Sequence, residues 1–100
     1  MNLPLQITWR GIAQSPALDA AIRCKVAKLQ RFNDRITRCR VVVELGDRHK
    51  NHGKQFAVRV NLTLPGGEIT VNHDQDEDVH VAVRDAFDAA RRQLQDFAHS

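Results

Sequence analysis

Regularly spaced basic side chains are the residues of this chain best suited to a chemical task. Four of them recur at intervals of three and four positions: Lys25, Lys28, Arg31 and Arg35. This spacing places them along one side of a helix rather than around it. A stripe of positive charge of this kind suits the binding of phosphate groups on a polyanion.

The charge of the chain is unevenly distributed. Residues 1–64 hold twelve Lys and Arg against four Asp and Glu, whereas residues 65–100 hold three against eight, and the formal net charge is +3 at pH 7. Asp34 is the only carboxylate between Lys25 and Arg40, so few local ion pairs can neutralise this stretch. A surface left positive repels itself, and a polyanionic partner is therefore expected.

Further basic residues extend this candidate binding surface. Arg38 opens the next apolar segment, and a polar loop after it adds five side chains: Arg48, His49, Lys50, His52 and Lys54. Near the C-terminus, Arg84 and Arg91 share one side of a second predicted helix. Asp88 lies between them in sequence, so an intrahelical charge ladder is the alternative explanation for these two arginines.

Metal and catalytic interpretations have little support in the residue spacing. His49 and His52 could supply two ligands, but structural and catalytic zinc sites need three or four, and we predict no metal or other cofactor. The acidic run at residues 74–78 is interpreted as a favourable start to a helix. Cys24 and Cys39 match neither a zinc spacing nor a disulfide framework and are interpreted as small apolar residues. No catalytic triad or phosphate-binding glycine loop is recognisable, so we expect no enzyme and no small-molecule substrate.

Hydrophobic periodicity predicts the secondary structure. Period-two alternation indicates strands at residues 3–10, 38–45, 55–64 and from residue 69 onward. Ser15 and Pro16 predict the cap and first turn of a helix that ends near residue 33. Its expected buried face is a single apolar arc: Leu18, Ile22, Val26, Leu29 and Phe32. Because most aromatic residues are assigned to the core, contacts with phosphates on a folded RNA are favoured over stacking on single-stranded bases.

The order strand, helix, three strands, helix predicts an α+β fold. The three consecutive strands should meander antiparallel, and a second apolar helical stripe begins at Val79. Both helices need apolar cover, which implies a two-layer sandwich with a four-stranded sheet and both helices on one face. We expect one domain over residues 1–100. No apolar run approaches the about 20 residues that cross a bilayer, and no signal peptide is recognisable, so no membrane contact and a cytoplasmic location are expected.

The chain resembles the hibernation promoting factor and ribosome-associated inhibitor family, also called sigma-factor-modulation or ribosomal S30EA-like proteins. The similarity covers nearly the whole chain, and several short segments carry it in order: Leu5-Gln6-Ile7-Thr8, Ala27-Lys28-Leu29, Asp34-Arg35-Ile36, Val41-Val42-Val43, Leu64-Pro65-Gly66-Gly67-Glu68-Ile69, Asp78-Val79 and Arg92-Gln93-Leu94. The family's C-terminal dimerisation domain is not recognisable, so the resemblance is to the short form.

The resemblance implies a β-α-β-β-β-α fold with the outline of a double-stranded-RNA-binding domain. It also implies binding to the small ribosomal subunit through rRNA, which inactivates or protects idle ribosomes. Lys25, Lys28 and Arg35 match the family's basic first helix, and Arg92 matches the basic residue before its Gln-Leu pair. Two alternatives stay open: a protein-interaction module that keeps the fold without binding ribosomes, and a small enzyme or metal protein that uses His49, His52 or the acidic run.

Overall fold

The computed structural model describes residues 3–46 and 55–99, which form four strands and two helices. The elements follow the predicted order: β1 (Leu5–Arg10), α1 (Pro16–Phe32), β2 (Arg38–Leu45), β3 (Phe56–Leu64), β4 (Gly67–Asp76) and α2 (Val79–His99). Neither helix is long and apolar enough to cross a membrane.

The strands form one mixed sheet in the order β1-β2-β3-β4. β1 pairs with β2 in parallel, because α1 carries the chain back to the starting end of β1 before β2 begins. β2, β3 and β4 then meander antiparallel. Both helices cover the same face of this sheet, so the predicted two-layer α+β sandwich is confirmed.

The two faces of the sheet differ in character because side chains alternate along each strand. Cys39, Val41 and Val43 of β2 point toward the helices and are fully buried, as are Val60 and Leu62 of β3. They join the apolar sides of α1 and α2 in a single core cluster. The opposite face carries no helix, and its side chains are mostly polar or charged.

The start of α1 follows the predicted capping chemistry. The Ser15 side chain accepts a hydrogen bond from the Leu18 backbone N–H at 3.2 Å, and Pro16 occupies the first turn, where a missing N–H costs nothing. The backbone N–H of Asn33 donates to the Leu29 carbonyl at 2.8 Å and ends the helix. Four of the five residues predicted for the buried face are buried: Leu18, Ile22, Val26 and Leu29.

The acidic run does not lie at the start of α2 as a block. The backbone of residues 74–76 still belongs to β4, and the helix begins only at Val79. Asp78 alone takes the capping position, where its Oδ1 accepts hydrogen bonds from the backbone N–H groups of His80 at 2.8 Å and Val81 at 3.3 Å. The prediction of a capping role is therefore correct for Asp78 and wrong for the residues that continue the strand.

Candidate nucleic-acid interface

A groove between α1 and α2 gathers basic side chains that are distant in sequence. β1, β2 and β4 are mutually parallel, since β4 runs antiparallel to β3 and β3 antiparallel to β2. Each helix that follows β1 or β4 returns along the sheet, so α1 and α2 run side by side in the same direction. Their facing sides leave a groove lined by eight residues: Lys25, Lys28, Leu29, Arg31, Phe32, Phe87, Asp88 and Arg91.

The apolar floor and the charged walls of this interhelical groove have different origins. Leu29 and Phe87 are 4% exposed, because they belong to the core stripes of their helices. Lys28, Arg31 and Arg91 are exposed and Lys25 is half-buried. They occupy the positions next to those stripes, where a long side chain can pack its stem and keep its charge in water.

The positive charge of the groove is not neutralised within the described part of the chain. Lys25, Lys28 and Arg31 make no ion pair there, whereas Arg23, on the same helix, pairs with Asp19 at 2.6 Å. Asp88 is the one carboxylate in the groove lining, against four cations. Such an excess raises the local concentration of anions and favours contacts with phosphate groups.

The intrahelical charge ladder, the alternative explanation for Arg84 and Arg91, does not form among the described residues of α2. Arg84 pairs with Asp85, its neighbour in sequence, with 3.1 Å between Nε and Oδ1. Asp88 makes no ion pair with Arg84 or Arg91 within residues 55–99. Arg91 instead places its guanidinium carbon 5.0 Å from the centroid of the Phe32 ring on α1, which is a cation–π distance. Arg91 therefore joins the interhelical groove, whereas Arg84 is engaged with its neighbour.

Phe32 is not a core residue, contrary to the sequence prediction. Its side chain is 43% exposed, and it is the only large apolar side chain that is exposed among the described residues. Phe32 lies at the edge of the apolar arc and is the last residue of α1. Its ring therefore extends past the core toward Arg91 of α2. Helical periodicity predicts which side of a helix is apolar, but it does not show whether the core extends as far as the last residue on that side.

Three other predicted site residues do not line the interhelical groove. Arg35 was expected to continue the helical stripe, but α1 ends at Phe32, and Arg35 is exposed in the turn that follows. Arg38 alternates with the buried Cys39 and therefore projects from the sheet face that carries no helix. Arg92 is exposed on α2 and lies about 100° around the helix from Arg91.

Five predicted contacts lie outside the described residues: Arg48, His49, Lys50, His52 and Lys54. The described residues on either side of them are Gly46 and Gln55, whose backbones are joined by a 2.7 Å hydrogen bond. This bond lies at the end of the sheet where Leu45 pairs with Phe56, opposite to the end where Arg38 pairs with Thr63.

The helix-free face of the sheet is a second polar surface, which the sequence reasoning did not assign to a site. Arg59 donates from Nε to the Asn72 side-chain oxygen at 2.8 Å, and the Asn61 amide donates to the Thr70 hydroxyl at 2.8 Å. These bonds link β3 to β4 across the sheet. Arg40 is also exposed on this face. Arg40 and Arg59 line one hollow of this face together with Asn61, Glu68 and Thr70, so their charge is accompanied by a carboxylate and by hydrogen-bonded neutral side chains.

The cysteines have different environments. Burial raises the pKa of the Cys39 thiol from 9.0 to about 12, because a thiolate would lose its hydration in the core. Cys39 therefore fits the prediction of a small apolar residue. Cys24 is exposed, and both cysteines are free of disulfide bonds. Within residues 3–46 and 55–99, no group of three or more His, Cys, Asp or Glu could hold a metal ion.

Comparison with known proteins shows a relationship over almost the whole chain. A family model described as "Sigma 54 modulation protein / S30EA ribosomal protein" matches residues 5–100. A curated protein of Deinococcus radiodurans named ribosome hibernation promotion factor is 29% identical over 92 residues, which are 92% of this chain and 47% of that protein. The chain thus spans about half the length of this curated relative.

Two solved structures have the same fold. A ribosomal subunit interface protein from Coxiella burnetii matches with a TM-score of 0.85 over 98% of this chain and 100% of its own, at 21% identity. The crystal structure of the Thermus thermophilus Protein Y N-terminal domain matches with a TM-score of 0.78 over 97% of this chain and 99% of its own, at 28% identity. Both chains are similar in extent to this one, which supports the assignment of all six elements to one fold.

Proposed function

This chain belongs to the sigma 54 modulation protein and S30EA ribosomal protein family, and on that premise we propose that it is a ribosome-associated translation regulator. It binds the small ribosomal subunit through rRNA and inactivates or protects idle ribosomes in the cytoplasm. The names of the Deinococcus and Coxiella relatives, a ribosome hibernation promotion factor and a ribosomal subunit interface protein, support this proposal. The protein acts by occupying a site, without catalysis or a cofactor, as a single domain.

The observation that carries the proposal is the unneutralised positive charge of the interhelical groove. Lys25, Lys28 and Arg31 have no carboxylate partner among the described residues, and Arg91 faces them from α2. Folded RNA offers phosphates at close and regular spacing, and each phosphate that a Lys or Arg neutralises releases a bound counterion to the solvent. Charge and shape, rather than base sequence, then determine the docking.

The remaining predicted site residues are assigned additional contacts outside the interhelical groove. Arg35 extends the groove surface beyond the end of α1, and Arg92 adds charge on the outer side of α2. Arg84 lies closer to the start of α2 and pairs with Asp85. A phosphate contact by Arg84 would therefore contribute less binding free energy. The basic residues from Arg48 to Lys54 form a proposed second contact, and Arg38 would reach RNA only if the helix-free face also binds.

A protein-interaction module is the second candidate function, and the helix-free sheet face is the observation that favours it. That face carries four arginines, of which Arg59 is hydrogen-bonded to Asn72, together with Glu44, Glu68 and neutral polar groups. Mixed charge and preformed hydrogen bonds suit a protein partner better than a phosphate backbone. Binding through this face would depend weakly on salt.

Co-sedimentation with purified ribosomal subunits tests the proposal directly. At low salt we expect stoichiometric binding to the small subunit, no comparable binding to the large subunit, and inhibition of translation by ribosomes pre-incubated with the protein. The double variant Lys28→Gln/Arg31→Gln should bind more weakly. The matched control Arg40→Gln/Arg59→Gln removes the same charge from the helix-free face and should bind like the wild type. The reverse order of the two variants would move the interface to the sheet, and absence of binding by the wild type would refute the proposal.

A further inference from the structure

The ring of Phe32 is more exposed than any other large apolar side chain on the described surface. Every other large apolar side chain in residues 3–46 and 55–99 is at least partly buried, whereas Phe32 is 43% exposed at the end of α1. The exposed part of the ring does little to stabilise the fold, since that apolar area stays in water. It is, however, a flat surface on which another planar group can stack.

The surroundings of Phe32 are concave on two sides. On one side the interhelical groove places Lys28, Leu29 and Arg91 beside the ring. On the other side, a shallow depression at the end of α1 is lined by Phe32 itself together with Ala27, Gln30, Arg31, Asn33, Asp34 and Arg35. The Phe32 ring therefore separates two hollows and is accessible to a ligand that approaches along α1.

Arg91 makes the aromatic site cationic as well as flat. Its guanidinium carbon is 5.0 Å from the centre of the Phe32 ring, so the two planar groups already contact each other across the helices. Both a phenyl ring and a guanidinium plane accept a nucleobase by stacking. Lys28 and Arg31 lie on the same helix within four residues of Phe32, which puts ammonium and guanidinium groups where the phosphates flanking such a base would fall.

We propose that Phe32 and Arg91 form a stacking site for one unpaired base, extruded from the folded RNA whose phosphates bind the interhelical groove. This inference rests on the proposed function and deepens it, because it adds recognition of a structural feature to recognition of charge. A base inside a duplex keeps both faces covered by its neighbours, so the site selects RNA that carries a bulged or looped-out nucleotide. The four cations against the one carboxylate of the groove favour RNA over an apolar peptide as the occupant.

A pair of short RNA hairpins tests the stacking site in isolation. One hairpin carries a single bulged nucleotide, and the other has the same stem fully paired. We expect the wild-type protein to bind the bulged hairpin more tightly. Loss of one base–aromatic stack corresponds to a decrease in affinity of about 5- to 150-fold, so Phe32→Leu should lose that preference, and Phe32→Trp should keep it. The thermal unfolding of each variant confirms that its fold is intact.

The salt dependence separates stacking from phosphate contacts. Phe32→Leu removes no charge, so it should weaken binding to the bulged hairpin and to small ribosomal subunits with an unchanged log–log slope against salt. Lys28→Gln should reduce that slope on both hairpins alike.

Three outcomes would overturn the stacking site. Equal binding of the wild type to both hairpins, or equal affinity of Phe32→Leu and the wild type for the bulged hairpin, would show that the ring does not stack on a base. The experiments distinguish failure of the stacking site from failure of the proposed function. If Phe32→Leu binds the small subunit as tightly as the wild type does, only the stacking site is refuted. If the protein prefers the bulged hairpin but does not bind the small subunit, only the proposed ribosomal function is refuted.

Discussion

Raising the pH above 9 should destabilise this protein through a single core thiol. Cys39 is fully buried in β2, and its pKa is raised by burial to about 12 from an ordinary value of 9.0. In the unfolded chain the thiol ionises from pH 9 upward, whereas in the folded protein it stays protonated until the pH approaches 12. Ionisation therefore favours the unfolded state throughout this interval.

The size of the effect follows from the difference between the two pKa values. Each pH unit between them corresponds to about 1.4 kcal/mol, so the contribution of Cys39 to stability is complete below pH 9 and falls by about 1.4 kcal/mol per unit above it. The full loss of about 4 kcal/mol is reached near pH 12. Against a total stability of about 5 to 15 kcal/mol for a small domain, this loss is large enough to measure.

Urea unfolding at pH 8.5, 9.5 and 10.5 measures this loss. Other groups also titrate in this range, so the relevant quantity is the difference between the wild type and Cys39→Ala, which has no thiol at this position. Cys24→Ala keeps Cys39 in place and should follow the wild type. If the free energy of unfolding of Cys39→Ala falls as steeply with pH as that of the wild type, the loss of stability does not come from the Cys39 thiol.

Two further predictions concern the β3–β4 turn and the surface beside the groove. Gly66 has φ of +89° with nothing within 4 Å of an added Cβ, so Gly66→Ala should cost about 1 to 2 kcal/mol from backbone strain alone. Gly66→Asn should cost less in the same thermal unfolding assay, and equal losses would contradict this explanation. Cys24 is exposed one helical turn before Lys28. Its carboxymethylation by iodoacetate should weaken small-subunit binding more than its carbamidomethylation by iodoacetamide, and equal effects would exclude an electrostatic cause.

The fold was largely predictable from local patterns, because each element carries its own signal. Residues 38–45 and 55–64 alternate between apolar and polar side chains, so strand type and buried face follow together, and the structure confirms both. Ser15 and Pro16 mark the first turn of α1 by their capping chemistry. The turn at Pro65 and Gly66 that joins β3 to β4 has a local signal of the same kind, since proline fixes one φ and glycine accepts a positive one.

The candidate site was less predictable, because it depends on where elements end and on how the helices meet. Nothing local distinguishes Phe32 from the four core residues of its stripe, yet the helix ends there and the ring faces Arg91 instead of the sheet. The same ending removes Arg35 from the helical stripe. Arg84 and Arg91 share a side of α2, but Arg84 pairs with the adjacent Asp85 instead of Asp88. The partner of Arg91, Phe32, lies on α1 and could be identified only once the two helices were packed together.

The electrostatic role of the interhelical groove is tested most directly by the salt dependence of small-subunit binding. Affinities of the wild type, Lys28→Gln/Arg31→Gln and Arg40→Gln/Arg59→Gln would be measured by co-sedimentation over a series of salt concentrations. The groove variant should lose about 1.4 to 1.8 units of log–log slope, since each phosphate contact contributes about 0.7 to 0.9. The sheet variant should keep the wild-type slope. Equal slopes for the wild type and the groove variant would contradict the assignment of the basic helix to RNA.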